Sequence, residues 1–169
     1  IKSKNKLLSK DLKLNIIKEE SKSKISNELI IKNISINSKM IKKNDVFFAI
    51  KGERIDGNKF VSEALKNNSS LVIVNKINKN YTAAKQVKVK NTLSFLTKCS
   101  SIYRENTNAK IISITGSCGK TTLKEMIGRT LKLISRASYS EKSFNNKYGV
   151  PLSLFNLKQN DKFGVFEVG

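Results

Sequence analysis

A chain of 169 residues with 38% hydrophobic and 27% charged residues is long enough for one sizeable core or two small ones, which excludes a disordered polymer. Two cysteines and no histidine exclude a disulfide scaffold and a zinc centre, remove the commonest general base, and point to a reducing, cytoplasmic setting. The formal charge of +20 is spread along the chain without a dense basic block, the pattern of a Lys- and Asn-rich composition rather than of a nucleic-acid footprint.

No apolar run reaches the roughly 18 residues that a membrane span requires, and the Lys-rich start has no continuous apolar stretch of the secretory type. The first 27 residues are polar. Within them, Leu7, Leu8, Leu12, Ile16 and Ile17 recur at helical spacing over 6–20. Residues 28–36 read as a strand, and so do 45–52, which end on a glycine turn. Residues 58–68 carry apolar positions at 60, 61, 64 and 65 and read as a short helix. The continuous apolar run at 70–76 predicts a strand buried on both faces, and 85–90 alternate like a half-buried strand. Asn91 or Thr92 can cap the helix that follows, which turns Leu93, Leu96, Cys99 or Ser100, and Tyr103 to one face. Cys99 is expected in the core.

A polar break at 105–110 changes the rhythm. Residues 111–115 predict a strand, 116–120 a tight loop, and 121–135 an amphipathic helix with Leu123, Met126, Ile127, Leu131 and Ile134 inward. Pro151 suits the first turn of a helix, and 163–169 form a last apolar strand. Strand, loop, helix and strand in this order predict a parallel α/β sheet. The expected fold class is therefore α/β: a small mixed N-terminal domain over 1–108, then the start of a P-loop parallel-sheet domain over 109–169. So few strands do not finish such a sheet, so a longer parent protein is expected.

The loop carries the chemistry. A phosphate cradle needs backbone N–H groups that converge on the anion, glycines that permit the approach, and a helix that begins there with its positive dipole end. Gly116, Ser117, Cys118, Gly119, Lys120, Thr121 and Thr122 supply that order. Lys120 would reach the β- and γ-phosphates of ATP as a point charge, the one catalytic side chain the sequence offers. Thr121 would offer its hydroxyl to Mg²⁺. Cys118 would contribute its backbone N–H, because no histidine is present to activate its thiol. Glu167 closes an apolar strand, the ligand side of a parallel sheet, and is a hard oxygen donor suited to Mg²⁺. Asn145 and Asn146 either hydrogen-bond substrate or phosphate or serve only as turn residues.

The form Thr115-Gly116-x-x-Gly119-Lys120-Thr121-Thr122, with Ile114 where a standard loop has glycine, resembles the ATP loop of the Mur ligases. The segment 145–154, NNKYGVPLSL, resembles that family's N-N-x-x-G-V-P stretch, and 166–169, FEVG, its strand-end glutamate. Residues 36–60 resemble its uridine-binding N-terminal domain, although Asn37, Lys39 and Asn58 stand where the family often has Asp, Arg and His. The resemblance covers most of 30–169. It implies ATP-driven amide formation through an acyl phosphate in peptidoglycan precursor synthesis, with ATP and Mg²⁺ as cofactors. The 145–154 segment points to the branch that joins D-alanyl-D-alanine to a UDP-N-acetylmuramoyl-tripeptide. It also implies that Ser38 contacts the uracil or its ribose, with Lys51 and Gly52 lining the same site, in a cytoplasmic monomer without membrane insertion or nucleic acid. The alternatives are another ligase of the superfamily (an amino-acid-adding enzyme or a folylpolyglutamate synthase relative), a P-loop kinase or ATPase of another family, and, outside the enzymes, a basic nucleic-acid-binding module.

Overall fold

The computed structural model describes residues 11–140 and 146–169. Leu7, Leu8 and Asn145 lie outside them. The chain divides after Phe95 into two compact units, the second running Leu96–Gly169.

The first unit opens with α1 (Leu12–Ser21), capped by Asp11, whose carboxylate accepts the Leu14 N–H at 3.1 Å. Capping of this kind satisfies a donor that has no partner inside the helix. A four-stranded parallel sheet follows in the order β1 (Ile34–Ser35), β2 (Val46–Phe48), β3 (Leu71–Val74), β4 (Gln86–Lys88), with α2 (Val61–Lys66) between β2 and β3. Every residue of β3 is buried, as a continuous apolar run in a covered parallel sheet requires. The core gathers Ile41, Phe47, Ala49, Val61, Ala64, Val72 and Val74.

The strands predicted over 28–36 and 45–52 are much shorter in the structure. Of 28–36, only Ile34–Ser35 pairs. The Ile31 N–H is taken by the Asp11 carboxylate and the Lys32 N–H by the Asn44 carbonyl at 2.8 Å, so these donors never join the ladder. Of 45–52, Val46–Phe48 pairs. The chain then turns, and Lys51 bridges Asp56 instead.

The helix α3 (Thr92–Glu105) spans the division between the units. Asn91 is its cap and accepts the Ser94 N–H at 2.9 Å, while the Thr92 hydroxyl donates to the Ala49 carbonyl at 3.0 Å. Leu96, Cys99, Ser100 and Tyr103 are buried and Leu93 half-buried, so the predicted face is the one the fold uses and Cys99 lies in the core.

The second unit is a three-stranded parallel sheet built from β5 (Lys110–Ile114), α4 (Lys120–Ile134), β6 (Ala137–Tyr139), α5 (Gly149–Phe155) and β7 (Phe163–Glu167), in the strand order β5-β7-β6. The last strand is thus inserted beside the first, with Ile114 paired to Glu167. Below the sheet, Tyr103 packs edge-on to Phe155 and donates its hydroxyl to the Leu157 carbonyl at 2.7 Å.

One prediction is overturned here. Leu123, Met126 and Ile134 do not face inward. They are exposed, Ile127 and Leu131 are half-buried, and the buried stripe of α4 is Lys124 and Gly128. The reason is steric. A side chain at Gly128 would lie 2.4 Å from the Tyr139 ring, so the helix presents the one residue without a side chain to β6. The lysine one turn earlier is carried in with it.

Candidate functional site

The turn between β5 and α4 is shaped by two glycines. Gly116 has φ 144° and Gly119 φ 74°, both in the region that side-chain-bearing residues avoid. Gly119 is the cap of α4, and its carbonyl accepts the first helical bond from the Leu123 N–H at 2.9 Å. Residues 115–119 are exposed, so Gly116, Ser117, Cys118 and Gly119 stand at an open surface in front of a helix N-terminus. That combination suits an anion. Lys120 begins the helix and its ammonium folds back to donate to the Gly116 carbonyl. A flexible point charge therefore hovers over the loop.

The strand order brings the other half of the site. Because β7 lies against β5, Glu167 reaches the C-terminal edge of the sheet next to the loop, and the Thr121 hydroxyl donates to its Oε2 at 2.8 Å. Glu167 is buried. Thr121 also lines an open groove of about 290 Å³ with Thr122, Glu125, Met126 and Arg129, so it stands between a buried carboxylate and solvent. Among the described residues no group of three or more acidic, cysteine or histidine side chains could hold a metal. A hydroxyl and a carboxylate at hydrogen-bond distance fit a different arrangement. Mg²⁺ is commonly bound through one or two protein oxygens and completed by nucleotide phosphates and water rather than by an all-protein cage. The donor set here fits Mg²⁺ on those terms.

The remaining predicted residues lie elsewhere. Ser38 is buried in a short turn of the first unit, where its hydroxyl donates to the Glu63 carboxylate and its carbonyl accepts from the Asn67 amide at 3.0 Å. Lys51 is exposed, and the Gly52 N–H donates to the Ile55 carbonyl at 2.9 Å in the turn that follows β2. Asp56 in that turn accepts from the Asn58 side chain and backbone, and these hydrogen bonds hold its carboxyl below the ordinary 3.8. Asn146 accepts the Tyr148 and Gly149 N–H groups at 3.1 and 2.9 Å, the turn role considered for it. Sequence reasoning missed Lys124, whose Nζ lies 4.0 Å from Glu167 Oε2 with 0% of its side chain exposed. The available signal was its position three residues after Thr121, on the same helix face.

A glycine loop between a parallel strand and a helix, with a strand-end carboxylate bonded to a threonine in the first turn of that helix, is the arrangement of P-loop nucleotide sites. Residues 30–112 match the Mur ligase family catalytic domain and residues 114–169 the Mur ligase middle domain. The chain belongs to the Mur ligase family. It is 36% identical over 142 residues to the UDP-N-acetylmuramoyl-tripeptide–D-alanyl-D-alanine ligase of Buchnera aphidicola, a match covering 84% of this chain and 31% of that protein. Among solved structures it is similar to the UDP-N-acetylmuramoylalanyl-D-glutamyl-2,6-diaminopimelate–D-alanyl-D-alanyl ligase of Acinetobacter baumannii, with a TM-score of 0.76 and 31% identity over 92% of this chain and 35% of that one. It is also similar to the MurF ligase of Thermotoga maritima, solved in complex with ADP, with a TM-score of 0.65 and 31% identity over 83% of this chain and 32% of that one. The chain thus spans about a third of the length of the relatives it matches.

Proposed function

We propose that this chain is the part of a cytoplasmic, ATP-dependent ligase that binds the nucleotide-sugar end of its substrate and grips ATP, and that the parent enzyme joins D-alanyl-D-alanine to a UDP-N-acetylmuramoyl-tripeptide. Residues 1–108 serve the uridine side and 109–169 the ATP side. The observation that carries the reading is the meeting of Thr121 and Glu167 at 2.8 Å beside an open glycine loop. The D-alanyl-D-alanine-adding relatives support the choice of acceptor.

In this reading the backbone N–H groups of residues 116–122 hold the β- and γ-phosphates. Lys120 leaves the Gly116 carbonyl and follows the γ-phosphoryl group as charge develops on it, so that stabilisation grows toward the transition state. The peptide carboxylate attacks that phosphorus, ADP departs, and the acyl phosphate that results is open to the incoming amine, which expels phosphate through a tetrahedral intermediate. Mg²⁺, when bound, would supply charge neutralisation to the phosphates. Thr121 and Glu167 would hold it, the hydroxyl donating its proton to the carboxylate and keeping a lone pair for the ion.

Two measurements test the reading. Calorimetric titration of the chain with ADP should show binding that Mg²⁺ strengthens; heat signals identical with and without Mg²⁺ would end it. Replacing the matching segment of the Acinetobacter enzyme with this chain should retain ligation of D-alanyl-D-alanine. A chimera that accepts a single amino acid instead would move the chain to a neighbouring branch of the family.

A further inference from the structure

One buried charge in the second unit has no part in that chemistry. Lys124 sits one turn after Thr121, is fully buried, and places Nζ 4.0 Å from the same Glu167 Oε2 that the Thr121 hydroxyl reaches at 2.8 Å. Lysine is almost never buried to this degree unless it is paired. Desolvating an ammonium is costly enough that an apolar residue would seal this face more cheaply. The helix has apolar residues to offer, yet it leaves Leu123 and Met126 48% and 62% exposed and turns the lysine in. Gly128, one turn further, lets the Tyr139 ring press against the helix.

We propose that Lys124 is a positioning residue for the metal-binding carboxylate. From the buried side of α4 it fixes Glu167, together with Thr121, before any nucleotide arrives. This inference rests on the reading of Thr121 and Glu167 as the Mg²⁺ pair. A carboxylate already locked in its binding geometry spares the ordering cost at the moment of binding. The sign of the effect separates this role from a simpler one. A lysine that were only a counter-charge would repel the arriving dication, and its removal would strengthen Mg²⁺ binding. A lysine that positions the ligand weakens it on removal.

The test titrates the wild-type chain, K124M, E167Q and K124M/E167Q with ADP, each with Mg²⁺ and with excess chelator, after thermal unfolding has shown which variants are folded. Wild type should gain affinity for ADP when Mg²⁺ is added. K124M should lose about tenfold of that gain, the usual scale when the support of a metal ligand is removed, with metal-free ADP affinity changed less than about twofold. On the E167Q background, K124M should change the Mg²⁺ gain no further, because its effect passes through the carboxylate. K124R, titrated alongside, keeps a buried cation but not the lysine geometry, and carries the test where K124M does not fold: its Mg²⁺ gain should fall below that of wild type, and a gain equal to or above wild type overturns the proposal. Mg²⁺ affinity unchanged or improved in K124M overturns the proposal, as does a further loss of the gain when K124M is added to E167Q. A wild-type chain whose ADP binding ignores Mg²⁺ overturns the nucleotide–metal reading itself, and the proposal with it.

Discussion

The two units bury polar groups to different ends. In the first, Asp45, Gln86 and Thr92 are buried polar side chains that mostly brace the backbone. The Asp45 carboxylate accepts the Lys42 N–H at 2.9 Å and the Asn33 amide at 3.0 Å. Gln86 bonds the Asn78 backbone through both ends of its amide, and Thr92 reaches the Ala49 carbonyl across 43 positions of sequence. In the second, a buried lysine and a buried glutamate face one another at a sheet edge, immediately behind an exposed loop. Neutral or singly charged groups that satisfy loops are inexpensive to bury when every bond is made. Two opposite full charges are not, and replacing such a pair by apolar side chains is often neutral or better for stability. The first pattern is what holding a fold together looks like. The second is the pattern expected where charges answer to a ligand as well as to the fold, the reading proposed above for Glu167.

Substitutions can sharpen that contrast, because the same chemistry should have unequal consequences in the two units. The largest loss is expected from Lys124→Ala. It strands the Glu167 carboxylate without its buried counter-charge, which should cost about 3–5 kcal/mol in denaturant unfolding. A loss below about 1 kcal/mol would place the pair among ordinary surface contacts. In the first unit, Thr92→Val keeps the shape of a side chain only 3% exposed and removes the donor to the Ala49 carbonyl. The expected loss is about 1–3 kcal/mol, the range for a buried acceptor left unpaired, with no effect on nucleotide binding. Lys120→Ala inverts the pattern. Its ammonium lies at an exposed loop and returns little to the fold, so stability should stay within about 0.5 kcal/mol. Binding of Mg·ADP, followed by calorimetry, should fall below detection.

These expectations also mark what could be read from the residues alone. The run at 70–76 announced a doubly buried strand because its centre is wholly apolar, and the structure pairs and buries the four residues Leu71–Val74. The glycine loop was legible because few sequences place two glycines, a lysine and a threonine between an apolar strand and a helix. Glu167 was legible because it ends a strand. The face of α4 was not. Its apolar residues form a real stripe, and periodicity chooses the stripe, whereas the fold chose the side on which Gly128 admits the Tyr139 ring. Lys124 was hidden by the same mistake, since a lysine on the supposed outer face invites no question. The partner of Ser38 was out of reach for a different reason. Glu63 lies 25 positions away, and only the packing of α2 against the turn that carries Ser38 brings them together. The shortened β1 was illegible because the donors that stop it are satisfied far along the chain, the Ile31 N–H by the Asp11 carboxylate and the Lys32 N–H by the Asn44 carbonyl.

The smallest effect belongs to the first unit and depends on acidity. The Asn58 side chain donates to the Asp56 carboxylate, the Asn58 N–H donates to it at 2.9 Å, and Lys51 and Lys59 lie near enough to add their charge. Together these hold its pKa below 3.8 in the folded chain. In the unfolded chain the group returns to its ordinary value, so between the two the unfolded state binds the proton more readily. The carboxylate's contribution is therefore complete above pH 3.8 and disappears as the pH falls through the lower, folded value. Asp56→Asn keeps an oxygen that can accept the Asn58 N–H and discards the charge. Its melting temperature should lie below wild type by a constant margin at neutral and mildly acidic pH, and the margin should close as the solution is taken well below 3.8. A margin that widens in acid would mean that the charge, not the hydrogen bonds to Asn58, is what the turn cannot tolerate. Asp56 would then be a candidate to answer a ligand, as Glu167 does, rather than a brace for its own loop.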